Sequence, residues 1–392
     1  MTQHRTEQAA MAAPTATGEG PDSTRHSPLH DRHVSLGATF TDFGGWQMPL
    51  KYGRELAEHA AVREQAGLFD LSHMGELRVH GPQAAEFLDF ALISKLSAIS
   101  VGRAKYSMLV EATGGIIDDL ITYRLGEEEF LVVPNAANTT AVYDALVERS
   151  NGFDVRIDNE TLGTALVAIQ GPRAEEIVLR LVGAADDADS VRDLRYYSAV
   201  TLCLASVSEV LLARTGYTGE DGFELIAPAA DAAAIWDAAR EAGDDLGLTC
   251  CGLAARDSLR LEAAMPFYGH ELSRALTPVA ARLKVLVSKK KKGEFFGRAL
   301  LSAPEPGRVL AGFSSTGRRA ARAGATITSP EGTEIGEVTS GQPSPTLGRP
   351  IALGYIDRQY AEPGTEVQMI IRGRAYPFEV VETPFYRRAT TA

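Results

Sequence analysis

An apolar strand that carries two adjacent carboxylates places a strict demand on any fold built around it. Residues 106–125, Tyr-Ser-Met-Leu-Val-Glu-Ala-Thr-Gly-Gly-Ile-Ile-Asp-Asp-Leu-Ile-Thr-Tyr-Arg-Leu, form two apolar runs about a Glu-Ala-Thr-Gly-Gly turn, the pattern of a β-hairpin. Asp118 and Asp119 sit side by side in the second run. Successive strand residues point to opposite faces, so a sheet with one core face directs one of these carboxylates inward. An unpaired buried carboxylate is strongly disfavoured or takes up a proton. The pair therefore marks a hydrogen-bonded structural acid or a working acid/base, unless the strand ends there in solvent. The segment alone leaves these readings open.

The remaining pattern is mixed. Leu77 to Leu88 and Val167 to Val178 echo each other about 90 residues apart: a short strand, then Gly-Pro, then an amphipathic helix. Proline suits the first helical position, where its missing N–H is harmless. The echo suggests two related strand–helix units in one α+β body. Strands are expected at 104–110, 116–125, 129–134 and 206–213, and helices near 136–149, 229–242 and 252–263. After Pro304, Pro306 and Gly307 the texture changes to short strands at 308–314, 325–328, 334–339, 351–357, 365–371 and 375–382, which reads as a small β-barrel or sandwich. The expected division is a disordered tail over 1–27, a main region over 28–304 made of two α+β subdomains, and a barrel over 305–388.

Charge and cysteine usage narrow the function classes. The formal net charge of −12 argues against nucleic acid as partner, because phosphate binding needs a basic surface. No apolar run approaches the ~18 residues of a membrane span, so no membrane partner is expected. The three cysteines, two of them adjacent at Cys250 and Cys251, fit a reducing cytoplasm. The tail lacks a secretory h-region and carries Glu7, Glu19 and Asp22. Lys289 to Lys292 form the one strong charge run, either a solvated loop or a docking patch.

Few local motifs point to chemistry. Arg214 to Leu225 holds Gly216, Gly219 and Gly222 but is neither a P-loop nor a dinucleotide fingerprint. A hairpin turn explains the glycines, while Tyr217, Glu220, Asp221 and Glu224 beside it offer a polar pocket wall. In the helix over Cys251 to Glu262, Arg256 and Arg260 share a face. They are either solvated or held for a carboxylate or an oxygen-rich heterocycle. His30 and His33 are expected in a loop, and no His/Cys cluster indicates a metal.

Taken in order, these segments resemble the aminomethyltransferase family, the T-proteins of the glycine cleavage system. The landmarks are Phe43 to Leu50, Glu58 to Arg63, Gly67 to Gly75, Gly114 to Leu120, Gly171-Pro172, Thr215 to Glu224 and Gly252 to Glu262. Tyr268 to Leu272, Gly336 to Gly341, Ser344 to Leu347 and Ile351 to Tyr355 continue the series, so the resemblance covers about residues 28–388. It implies an α+β, multi-domain folate-binding fold with a ring-like arrangement and a C-terminal β-barrel. It further implies transfer of the methylene carbon from the aminomethyl-dihydrolipoyl arm of H-protein to tetrahydrofolate, with release of ammonia and no metal.

The site residues implied by the resemblance are Asp118 as the catalytic acid and Glu224, Arg256 and Tyr386 as folate contacts. A reduced pterin presents an N–H and an amino group along one edge, which a carboxylate such as Glu224 can accept. Asp118 would orient the attacking folate nitrogen. Tyr106, Tyr123 and Tyr217 are candidates for flat ring contacts or for core packing, and Asn135 for a polar wall. The chain departs from the pattern at Ala264 to Phe267, at Ala280 to Val287, which lacks a tryptophan, and in its tail. Alternatives are a folate-dependent demethylase of another one-carbon donor, or a non-catalytic folate-binding assembly protein, which would be expected to lack the Asp118–Asp119 pair.

Overall fold

The computed structural model describes residues 24–389. Most of the expected tail lies outside the described residues. Its last part does not behave as a tail: β1 (Arg25–His26) pairs in parallel with Trp46 and Gln47, and buried Ser27 gives its hydroxyl to Asp70. Helix α1 (His30–Ser35) then places His33 in the interior, 2.7 Å from Asp70, where a loop was expected. Strands β2 (Thr39–Phe43) and β3 (Trp46–Lys51) complete a three-stranded sheet.

Two larger sheets follow. After α2 (Glu55–Glu64) come β4 (Ala66–Asp70), β5 (Leu77–His80), α3 (Ala84–Ala91), β6 (Ala104–Val110), β7 (Ile116–Arg124), β8 (Glu129–Pro134), α4 (Thr139–Arg149) and β9 (Arg156–Asn159). Five of these strands form a sheet in the order β6-β7-β8-β5-β9. The chain continues through β10 (Thr164–Gln170), α5 (Ala174–Leu181), α6 (Ala185–Asp193), β11 (Ala199–Leu204), β12 (Val207–Ala213), β13 (Gly222–Pro228), α7 (Ala232–Gly243), β14 (Leu248–Cys250) and α8 (Leu253–Glu262). A six-stranded sheet runs β11-β12-β13-β10-β4-β14.

The sheets face each other. Tyr123, Leu131 and Val133 from one meet Leu166, Ala168 and Ile226 from the other in a shared core. Helices cover the outer faces: Phe87, Leu88, Val142 and Leu146 on the five-stranded sheet, Ile177, Val178, Ile235 and Trp236 on the six-stranded one. Helix α5 shows why it docks, since Ala174, Ile177, Val178 and Leu181 recur at helical spacing and are all buried. The two Gly-Pro turns share one conformation, with φ +133° at Gly81 and +131° at Gly171. A Cβ at either would lie 2.6 Å from a backbone oxygen, of Asp154 or Gln65, so only glycine serves.

The C-terminal strands β15 (Arg308–Ser314), β16 (Thr326–Thr328), β17 (Glu334–Pro343), β18 (Pro350–Asp357), β19 (Glu366–Ile371) and β20 (Arg374–Val381) close into a barrel in the order β15-β18-β17-β16-β19-β20. Its core is apolar, with Phe313, Ile327, Val338, Ile356 and Met369 enclosed. Among the described residues no helix is long and apolar enough to cross a membrane. The lysine run is neither wholly solvated nor one patch. Lys289, Lys290 and Lys292 are exposed, but Lys291 folds inward, donating to the carbonyls of Asp89 (2.7 Å) and Leu92 at the end of α3. Its N–H donors answer the unsatisfied carbonyls of the helix terminus, while burial lowers the amine to about 7.

Helix α8 joins the parts. Glu262 Oε1 accepts from the Ser344 hydroxyl and the Thr346 N–H (3.0 Å) of the barrel, and Oε2 from Arg63 (2.8 Å) and the Thr346 hydroxyl (2.8 Å). His59 Nε2 lies 3.2 Å from the same oxygen. Burial alone would raise this carboxyl, yet the donors from His59, Ser344 and Thr346 hold it at about 2. Its stabilisation is therefore complete above pH 4.5 and is lost as the pH falls towards 2. Glu262→Gln is expected to lower the unfolding free energy at pH 7 by about 2–4 kcal/mol. In urea titrations the gap to the wild type should narrow between pH 7 and pH 3.5; a constant gap would contradict this assignment.

Candidate active site

The site grows from the register of the β6–β7–β8 meander. Tyr106 lies opposite Ile121 and Leu120 opposite Pro134, so the chain leaving β8 brings Asn135 beside the two carboxylates. Alternation then separates them. Asp118 shares the face of Leu120, towards the helices, and is fully buried. It accepts from the Asn135 N–H (2.8 Å), the Asn135 carboxamide (2.9 Å) and the Asn138 carboxamide (2.6 Å) at the start of α4. Asp119 shares the face of Ile121 and Tyr123 and lines a cavity of about 140 Å³ between the two sheets. The carboxylate that reaches the cavity is thus Asp119, not Asp118.

Asp119 is held by the Tyr106 hydroxyl (2.9 Å), diagonal to it across the strand pair, and by the Asn135 carboxamide (3.0 Å). Burial pushes its carboxyl up to about 6, against the pull of these two donors. Burial, and then the neighbouring Asp119, raise Asp118 well above the ordinary carboxylate range, opposed by Asn138 and Asn135.

The opposite wall comes from the six-stranded sheet. Glu224 on β13 accepts from the Thr215 hydroxyl and from Tyr123 (3.3 Å). The turn before it wraps the Gln170 carboxamide, whose Nε2 donates to Thr215 O (3.0 Å) while Thr218 donates to its Oε1 (3.0 Å). A Cβ on Gly216 would fall 2.0 Å from that carboxamide, which accounts for a glycine there. Tyr217 is fixed by its hydroxyl to Pro266 O, and the Arg256 guanidinium lies over its ring at 4.6 Å. Arg256 has no side-chain hydrogen bond or ion pair among the described residues. Burial lowers its pKa. Arg260, four residues on, is instead consumed by Glu271 (2.9 Å) and Ser340 (2.8 Å).

The structure thus brings Tyr106, Asn135, Tyr217, Glu224 and Arg256 into one cavity. Tyr123 is 1% exposed and acts behind Glu224, with no ring face free for a ligand. Tyr386 does not line the cavity: it stacks on Arg63 at 4.1 Å and faces Glu220. Glu220 and Asp221, expected near a pocket wall, are tied to Arg63 and to Arg214 and Arg388. Sequence reasoning missed Tyr197, His73, Phe43 and Phe267 as lining residues. Phe43 and His73 stood within quoted landmarks without a role. Tyr197 carries no motif: it enters the cavity because its backbone is left-handed (φ 60°), held by hydrogen bonds to Arg214 O (3.0 Å) and from Ala104 N (2.9 Å).

Two facing sheets enclose a small cavity with carboxylates on two walls and an unpartnered guanidinium, beside a closed C-terminal barrel, and such a lining suits a ligand that carries both hydrogen-bond donors and an acceptor. The family model of the GCVT N-terminal domain matches residues 29–291, and that of the glycine cleavage T-protein C-terminal barrel domain matches 308–387. The chain is 54% identical over 367 residues to an aminomethyltransferase of Corynebacterium aurimucosum, covering 93% of this chain and 98% of that protein. It is 41% identical to the aminomethyltransferase of Bacillus subtilis, with coverage of 93% and 99%. The crystal structure of glycine cleavage system aminomethyltransferase T from Bartonella henselae superposes with a TM-score of 0.85 at 36% identity, over 93% of this chain and 98% of that one. The chain belongs to the aminomethyltransferase family of glycine cleavage T-proteins.

A carboxyl raised to about 6 opposes folding once it ionises: its favourable share is complete below 3.8 and is lost as the pH rises through 6. Asp119→Asn should therefore gain stability on the wild type between pH 4 and pH 7, read as a rising difference in melting temperature. A difference independent of pH would exclude a raised carboxyl at this position.

Proposed function

We propose that the chain transfers the methylene carbon of an aminomethyl group, carried on the dihydrolipoyl arm of lipoylated H-protein, to tetrahydrofolate. The C–S and C–N bonds of the carried group break. The carbon bridges two folate nitrogens, and their protons leave with ammonia and the freed thiol. Tetrahydrofolate is a co-substrate, and no metal takes part. The observation that carries this reading is the opposition of Asp119 and Glu224 within a cavity walled by tyrosines, in a chain of this family.

In this reading Glu224, braced by Thr215 and Tyr123, accepts the N–H and amino hydrogens of the pterin edge. Tyr217 under Arg256 offers a flat wall for the ring. Asp119 accepts from the folate nitrogen that attacks the methylene and holds it in line. Asp118 acts indirectly, fixing the Asn135 carboxamide that in turn positions Asp119. The division into a folate-binding region over 28–304 and a barrel domain over 305–388 belongs to the same proposal, as does action in the cytoplasm, which the three free cysteines support.

The test is an assay with aminomethyl-loaded H-protein and tetrahydrofolate, following methylenetetrahydrofolate and ammonia together. Asp119→Asn should lower kcat on the order of 10²-fold or more, with folate affinity changed only a few-fold. Asp118→Asn should lower it about tenfold, with a loss of stability at the start of α4. Collapse in Asp118→Asn with normal turnover in Asp119→Asn would return the reacting role to Asp118.

A further inference from the structure

His73 lines the cavity, yet the reading above gives it no task. Its side chain is 1% exposed, and neither ring nitrogen has a hydrogen-bond partner among the described residues; Nδ1 is fully enclosed. Such an imidazole is uncommon, because buried polar atoms are almost always paired with protein or water. The ring is not free to turn away. The loop after β4 is pinned by Met74 N to Leu71 O (2.9 Å) and by Leu166 N to the Ser72 hydroxyl (3.2 Å). Phe43 meets the ring edge-on at 5.2 Å and is itself stacked on Phe267.

The protonation state follows from the surroundings. Burial first, and then the charge of Arg256, lower the imidazole to about 4, with Asp70 opposing. The ring is neutral at working pH, with one N–H and one lone pair. An enclosed N–H without an acceptor is the rarer and costlier orphan, so the proton belongs on Nε2 and the enclosed Nδ1 carries the lone pair. The cavity then has two acceptor walls, Asp119 and Glu224, and two unpartnered donors, Arg256 and His73. The lactam edge of a reduced pterin has the complementary order: beside the N–H and amino group stands a carbonyl oxygen, an acceptor only.

We propose that His73 is a ligand-binding residue of this cavity, its Nε2–H joining the Arg256 guanidinium on the carbonyl oxygen of the bound pterin. This rests on the folate reading and adds a specificity contact to it: the pair recognises the oxo group where Glu224 recognises the donors.

The experiment compares the full chain with His73→Leu, which removes both nitrogens, and His73→Gln, which keeps an N–H at similar reach. Binding of tetrahydrofolate is measured anaerobically by calorimetry, beside the KM for loaded H-protein and the melting temperature. A 2,4-diaminopteridine, with an amino group in place of the carbonyl, serves as second probe. His73→Leu should weaken tetrahydrofolate binding about tenfold and bind the diamino probe as the wild type does, and His73→Gln should recover most of the loss. The KM for H-protein should stay within about twofold. Unchanged tetrahydrofolate affinity in His73→Leu would overturn the contact. So would an equal loss for both probes with a lowered melting temperature, which marks a packing role, or a rise in the H-protein KM alone, which places the donor on the carrier arm. A wild type that binds no tetrahydrofolate would sink the folate reading itself, and this contact with it.

Discussion

The geometry of the whole molecule depends on the carboxylate of Glu262. It lies at the end of α8, where α2, the barrel and the C-terminal segment meet, and it takes donors from the first two while its backbone carbonyl accepts from Tyr386 N (2.9 Å). Arg63, which donates to it, also reaches Thr218 O (2.8 Å) and so ties in the turn that precedes Glu224. A buried ion pair is weak grounds for stability in itself, because desolvation offsets the attraction. What it does supply is uniqueness, since misplacing any one partner leaves a buried charge uncompensated. The same helix holds Arg260 against Glu271 and Ser340 and presents Arg256 to the cavity. Pinning α8 therefore aims the guanidinium.

Elements with a strong period were legible in the sequence. The hairpin at 106–125 forms from its two apolar runs and the short strands beyond residue 308 form as read, and both Gly-Pro turns open helices with apolar residues at helical spacing. What escaped depends on partners distant in the chain. Ser27 looked like the end of a polar tail because its acceptor, Asp70, is 43 residues away. Lys291 looked like one of four equivalent lysines, and only the docking of residues 288–297 against the end of α3 singles it out. A charge run has no period from which to tell the one inward side chain from its neighbours.

The carboxylate pair shows the same limit at the site. Alternation requires that Asp118 and Asp119 face opposite ways, but which of them meets the cavity is set by register and by what covers each face. Helix α4 covers the face of Asp118, and its start supplies Asn138 as a donor. The facing sheet leaves room only on the side of Asp119. The resemblance implied Asp118, whereas the member of the pair that lines the cavity is Asp119. Tyr123 and Tyr197 divide similarly: the first sat in a conspicuous strand and is sealed behind Glu224, whereas the second was unremarkable in sequence and enters the cavity through a left-handed backbone.

The groups that meet in the cavity share one physical character. Asp119 is held above its ordinary pKa, Arg256 is half-buried without an ion pair, His73 is buried without a hydrogen bond, and Tyr197 adopts a backbone that side chains disfavour. Each weakens the folded state a little. Elsewhere comparable groups are satisfied: Asp70 by His33 and Ser72, Asp221 by Arg214 and Arg388, Glu262 by its ring of donors. Unpaired buried groups also occur away from the cavity, among them Glu76 and His30. Glu76 is buried with neither oxygen hydrogen-bonded, yet it does not line this cavity. A single unpaired acid thus defines nothing. Two unpartnered donors, Arg256 and His73, and two acceptor walls, Asp119 and Glu224, around one void are complementary to a molecule that carries both donors and an acceptor on one edge, and the well-satisfied hub at Glu262 offsets what they withhold from stability.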